Sequence, residues 1–110
     1  MKTLASICTI LLLVSVSVSA EEHFFAAKDH THDAVIQGEA GHTRVLIEHV
    51  KAALENALKA SLNAKGMQKS HLDAAAKELQ ESLDHANMGH IGAATIHAET
   101  AERHIKASNE

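Results

Sequence analysis

Two stretches of this chain repeat each other, and that repeat restricts what it can fold into. "HFFAAKDHTHDAVIQGEAGH" (23–42) aligns with "HLDAAAKELQESLDHANMGH" (71–90) at a shift of 48 residues. "GHTRVLIEHVKAALENALKAS" (41–61) then aligns with "GHIGAATIHAETAERHIKAS" (89–108), the second copy closing one residue shorter. One supersecondary unit used twice accounts for the chain. Proline is absent and alanine is plentiful, which favours helix throughout and predicts a thin core. Turn-like breaks fall around Gly38 and Gly41, Gly66, and Gly89. They leave four helical segments at about 23–37, 42–64, 70–86 and 90–107, with Ser70 as N-cap of the third and Asp73 in its first turn.

Ile91, Ala94, Ala98, Ala101 and Ile105 follow the alternating three-and-four spacing of a bundle seam. Leu46, Val50, Ala53, Leu54, Ala57 and Leu58 do the same in the second segment, and Leu72, Ala76, Leu79 and Leu83 in the third. The first segment has the weakest seam, carried by Phe24, Phe25 and Val35. Short loops make neighbouring helices antiparallel. The expected fold is therefore all-α, a small up-down-up-down four-helix bundle built from a duplicated helical hairpin.

The amino-terminal residues read differently. Lys2 precedes an apolar run containing "ILLLVSVSV", and "VSA" supplies small residues before "EEH", the pattern of a secretory signal peptide cut after about Ala20. Residues 1–20 are thus expected to leave on export, and residues 21–110 to form one histidine-rich helical domain. Cys8 leaves with the leader, so neither disulfides nor thiolate metal sites are expected. The processed chain keeps nine Lys and Arg against fourteen Asp and Glu, a net charge of −5. Without clustered cations it is not expected to bind nucleic acid, nor a membrane once processed.

The histidines carry the functional signal. Positions seven apart on a helix share one face, drifting by only about 20°. In segment order, four such lines read His23, His30, Gln37; His42, His49, Asn56; His71, Glu78, His85; and His90, His97, His104. Nine of the ten histidines lie on these lines, and only His32 lies off them. Antiparallel folding pairs the lines into rungs: Gln37 with His42, His30 with His49, His23 with Asn56, then His85 with His90, Glu78 with His97, and His71 with His104. Successive rungs should lie about 10 Å apart, too far for one ion to bridge two. Each rung is expected to hold its own ion, completed by water or a carboxylate such as Asp84, Glu48 or Glu102. The ten expected ligands are His23, His30, His42, His49, His71, His85, His90, His97, His104 and Glu78. Imidazole suits copper(II), nickel(II) and zinc(II), with copper(II) highest in the affinity order.

Two local features extend this reading. Cleavage after Ala20 would start the chain at Glu21-Glu22-His23, where a free amine, two amides and an imidazole can wrap copper(II) or nickel(II) in a plane. Met88 lies between His85 and His90, and it reads more readily as loop filler or a hydrophobic cap than as a thioether ligand; Met67 also reads as filler. His32, two residues from His30, points away from it on a helix.

These residues resemble a known family. "GHTRVLIEHVKAALENALKAS" and "GHIGAATIHAETAERHIKAS", with the leader and the heptad echoes at His49, His97 and His104, are similar to the small metal-binding protein (SmbP) family of bacterial periplasmic proteins. The resemblance covers almost the whole processed chain, chiefly 33–108. It implies a monomeric helical bundle that binds several divalent ions, copper above all, and buffers or sequesters them. Gln37, Asn56 and Glu78 stand where that pattern would place further ligands, which implies a smaller capacity.

Enzymatic turnover is not expected. The chain has no nucleophile elbow, no glycine-rich phosphate loop and no HExxH, and its one ExxH, Glu39 to His42, straddles a turn. The leading expectation is periplasmic buffering or sequestration of copper(II), with nickel(II) and zinc(II), to which delivery to a copper-accepting protein is an optional extension. The alternatives are a haem-binding bundle or a pH-responsive structural or stress protein. The first has no CxxCH and few bulky apolar residues to line a porphyrin pocket. The second would change helicity between about pH 7 and 5 without metal.

Overall fold

A computed structural model describes residues 19–110. Within them the chain forms α1 (Ala20–Glu39), α2 (Thr43–Leu62), α3 (Gly66–Asn87) and α4 (Ile91–Ser108). Each helix packs on two neighbours, α1 on α2, α2 on α3, α3 on α4 and α4 on α1, with the closest packing inside the α1–α2 and α3–α4 pairs. This is the expected four-helix bundle. No helix among the described residues is long and apolar enough to cross a membrane. Most of the leader expected over residues 1–20 lies outside the described residues.

Alanine dominates the interior. Ala27, Ala34, Ala53, Ala57, Ala75, Ala94, Ala98 and Ala101 are fully buried. Leu46, Val50, Leu72, Leu79 and Ile105 supply the bulk between them. A methyl side chain adds little buried area, so each large residue carries a big share of the hydrophobic stabilisation. Small side chains also bring the helix axes together, and this closeness sets the separation of groups along each seam. Ser82 adds a specific lock between α3 and α4, donating its hydroxyl to the Ala94 carbonyl at 2.7 Å.

The two hairpin turns match closely. Gly41 and Gly89 take the left-handed φ of 80° and 79°, where a Cβ would be strained. Past them, the His42 amide donates to the Gln37 carbonyl and the His90 amide to the His85 carbonyl, both at 2.9 Å. His42 and His90 are the N-caps of α2 and α4, and neither uses its side chain in the cap.

Several sequence expectations need correction. The first helix starts earlier than residue 23, because the Ser19 hydroxyl accepts from the Glu22 amide at 3.2 Å and caps a turn beginning at Ala20. Ser70 is not an N-cap. Gly66 opens α3 after Lys65, and Asp73 lies well inside the helix, where it accepts from the Ser61 hydroxyl and lies 3.8 Å from Lys69 Nζ. Gly38 is helical and buried rather than part of a turn. A Cβ there would collide with Thr95 and come within 2.8 Å of Leu46 Cδ1. Leu58 and Phe25 leave the seam, about half exposed, and Thr31 and Ala34 take the buried positions on α1. Met88 and Met67 are both exposed, so neither caps the core.

The buried glycine gives a direct test of packing. Gly38→Ala should cost about 1–3 kcal/mol through overpacking. Gly92→Ala, on a helical glycine with open space around it, should gain roughly 0.5–1 kcal/mol. Thermal unfolding followed by circular dichroism should move the two midpoints in opposite directions.

Candidate metal centres

The heptad lines meet as their spacing requires. On α1 and α2, His30 Nδ1 and His49 Nδ1 approach to 3.0 Å. His23 Nδ1 donates to Asn56 Oδ1 at 2.8 Å, and His42 Nδ1 donates to Gln37 Oε1 at 2.7 Å. On α3 and α4, His71 Nδ1 and His104 Nδ1 approach to 3.3 Å, and His97 Nδ1 donates to Glu78 Oε2 at 2.7 Å. The His85 and His90 rings lie with centroids 5.9 Å apart. Five of the six rungs therefore close through polar atoms, and His85 and His90 lie near each other without a hydrogen bond between them. The inner rungs are half-buried, whereas His42 and His90 at the turns are exposed.

The rungs are not isolated, which corrects the expectation that each stands alone along the bundle. His85 stacks on His97, one rung along, with centroids 5.1 Å apart and planes 11° from parallel. The cause is helical geometry. Side chains tilt towards the N-terminus of their own helix, so on antiparallel helices they lean in opposite directions along the bundle. His85 leans away from the Gly89 turn and His97 leans towards it.

Among the described residues, two groups of three side chains bring ligand atoms within 4.8 Å of one another: His30, Asp33 and His49, and Glu81, His85 and His97. Their carboxylates differ from those expected. Asp84 accepts from Gln80 Nε2 at 3.0 Å. Glu102 turns to α1, accepting from His32 Nδ1 at 2.8 Å and from Lys106 Nζ at 3.1 Å. Asp33 and Glu81 were missed because they lie off the heptad lines. Their signal was helical spacing: Asp33 is three residues after His30, and Glu81 is four before His85.

The donor set fits a metal ion. His85 Nδ1 is buried and lacks a hydrogen-bond partner, a costly state for a ring nitrogen that a cation would relieve. In the closest pairs two imidazole nitrogens from separate helices already face each other. One must carry the proton between them, and an ion bridging both would displace it.

Fold and donors together define a class: a small antiparallel helical bundle whose facing helices carry sites able to hold metal ions. The family model described as small metal-binding protein matches residues 1–108. This chain belongs to that family. A search of curated proteins found no match.

The pair outside the ladder has its own pH signature. Burial raises the Glu102 carboxyl, but the hydrogen bonds and charges of His32 and Lys106 outweigh it and hold the group below its ordinary 4.5. A depressed carboxyl contributes stability above pH 4.5, and that contribution disappears as pH falls through its folded value. His32 is exposed, so the effect is screened, at most about 1 kcal/mol. Urea unfolding should find Glu102→Gln weaker than the parent at pH 6, with the difference closing as the pH falls well below 4.5.

Proposed function

We propose that this protein binds and buffers divalent transition ions in the periplasm, copper(II) ahead of nickel(II) and zinc(II), as a monomer after loss of its leader. The observation that carries the reading is the convergence of imidazoles from different helices. His30 with His49 and His71 with His104 put ring nitrogens 3.0 and 3.3 Å apart, a separation that two ligands of one ion can adopt. Membership of the small metal-binding protein family supports the same reading. Copper comes first because nitrogen and oxygen donors without thiolate follow an affinity order that peaks at copper(II).

Half-exposed sites of two or three ligands suit uptake and release better than permanent structural retention. That character supports buffering, with transfer to a copper-accepting protein, over turnover. We also read the two hairpins as copies of one ancestral unit, supported by the 48-residue alignment and the matching turns. A cut after Ala20 would remove the Ser19 cap of α1 and loosen its first turn, freeing Glu21-Glu22-His23 for an amino-terminal site.

Ions that join two helices stabilise the folded chain. One site held at a hundredfold excess over its dissociation constant adds about 2.7 kcal/mol. Replacing His71 and His104 together by alanine should lower the copper-dependent rise in melting temperature, while His32→Ala should leave it in place. Equal losses would contradict the rungs. Isothermal titration of the processed chain should show copper(II) bound more tightly than zinc(II), and an absence of uptake would end the reading.

A further inference from the structure

The two three-ligand groups occupy related positions but are not built alike. Asp33 and Glu81 are 48 residues apart, as are His49 and His97, so each hairpin supplies one carboxylate and one imidazole from matching places. The third ligand changes. In the first hairpin it is His30, whose counterpart 48 residues on is Glu78. In the second it is His85, whose counterpart is Gln37. Each hairpin thus has a two-histidine, one-carboxylate group completed from a different turn of its first helix.

The state of the nitrogens differs as well. His30 and His49 present Nδ1 to Nδ1 at 3.0 Å, and that hydrogen bond must break before both can ligate there. His97 donates its Nδ1 hydrogen to the Glu78 carboxylate, which fixes the tautomer and leaves the Nε2 lone pair available. A carboxylate on the far nitrogen of a ligating imidazole is the usual outer support of metal sites. It orients the ring and raises its basicity. His85, stacked on His97, holds a buried nitrogen with no partner. Glu78 and Glu81, the two carboxylates of this group, also offset the charge of a dication.

We infer that the group formed by Glu81, His85 and His97 is the first site to fill with a divalent transition ion, and that Glu78 is its positioning residue, acting through His97. This rests on the metal-binding function proposed above and deepens it. Glu81 is a ligand, whereas Glu78 sits behind one. The first-hairpin group of His30, Asp33 and His49 fills second because its two imidazoles are hydrogen-bonded to each other and must part before both can ligate, whereas the contact that holds His97 stays in place.

The test uses the full processed chain, with copper(II) as probe and helicity checked for each variant. Glu81→Gln and Glu78→Ala should each weaken the first equivalent, Glu78→Ala by about 10–100-fold. Asp33→Asn should leave the first equivalent unchanged and weaken a later one. Without metal, ¹⁵N shifts should show His97 protonated at Nδ1 in the parent and a tautomer mixture in Glu78→Ala, a change that mere loss of packing would not produce. A first equivalent weakened by Asp33→Asn and untouched by Glu78→Ala and Glu81→Gln would overturn the inference while leaving metal binding intact. An unchanged His97 tautomer in Glu78→Ala would remove the positioning role. No copper uptake by the parent would sink this inference and the proposed function together.

Discussion

The pairing of imidazoles across antiparallel helices is the interaction on which the other features depend. It requires helices that approach closely, and the alanine-filled interior provides that approach. Larger side chains at Ala53, Ala98 or Ala101 would push the axes apart and separate nitrogens that now lie 3.0–3.3 Å from each other. The same choice leaves the bundle with little hydrophobic bulk. Stability and ligand geometry are thus linked through the size of the interior residues.

Five of the six rungs are held by hydrogen bonds between their members. His97 rests on Glu78, His23 on Asn56, and His42 on Gln37. These contacts keep the polar seam satisfied, and the Gln, Asn and Glu that interrupt the histidine lines act as partners for the imidazoles opposite them. His85 is the exception, with its buried nitrogen unmet. A seam of this kind trades protons for cations, so metal uptake should release protons and depend on pH.

The sequence made the fold and the rungs legible because two periodicities agree. Apolar spacing defined four amphipathic segments, the seven-residue interval put the histidines on one line per helix, and glycine turns forced antiparallel pairing. What stayed hidden depends on side-chain direction and local competition. The lean of His85 onto His97 follows from opposed tilts on antiparallel helices, and a count of rises along the axis ignores it. Asp33 and Glu81 lay off the lines, although both were within a helical turn of a histidine. Ser70 looked like a cap, yet the helix runs four residues further back to Gly66. Gly38 resembled a turn glycine, but it is small so that Thr95 and Leu46 can pack against α1.

The central claim is that a single ion is gripped by imidazoles from two helices. Electron spin echo envelope modulation on the chain carrying one equivalent of copper(II) counts the imidazoles bound to it. The expected spectrum shows two coordinated imidazoles, falling to one when either His85 or His97 is replaced by alanine in a chain whose His30 and His71 are already alanine. A spectrum with one imidazole in the parent chain, unchanged by both replacements, would contradict the account.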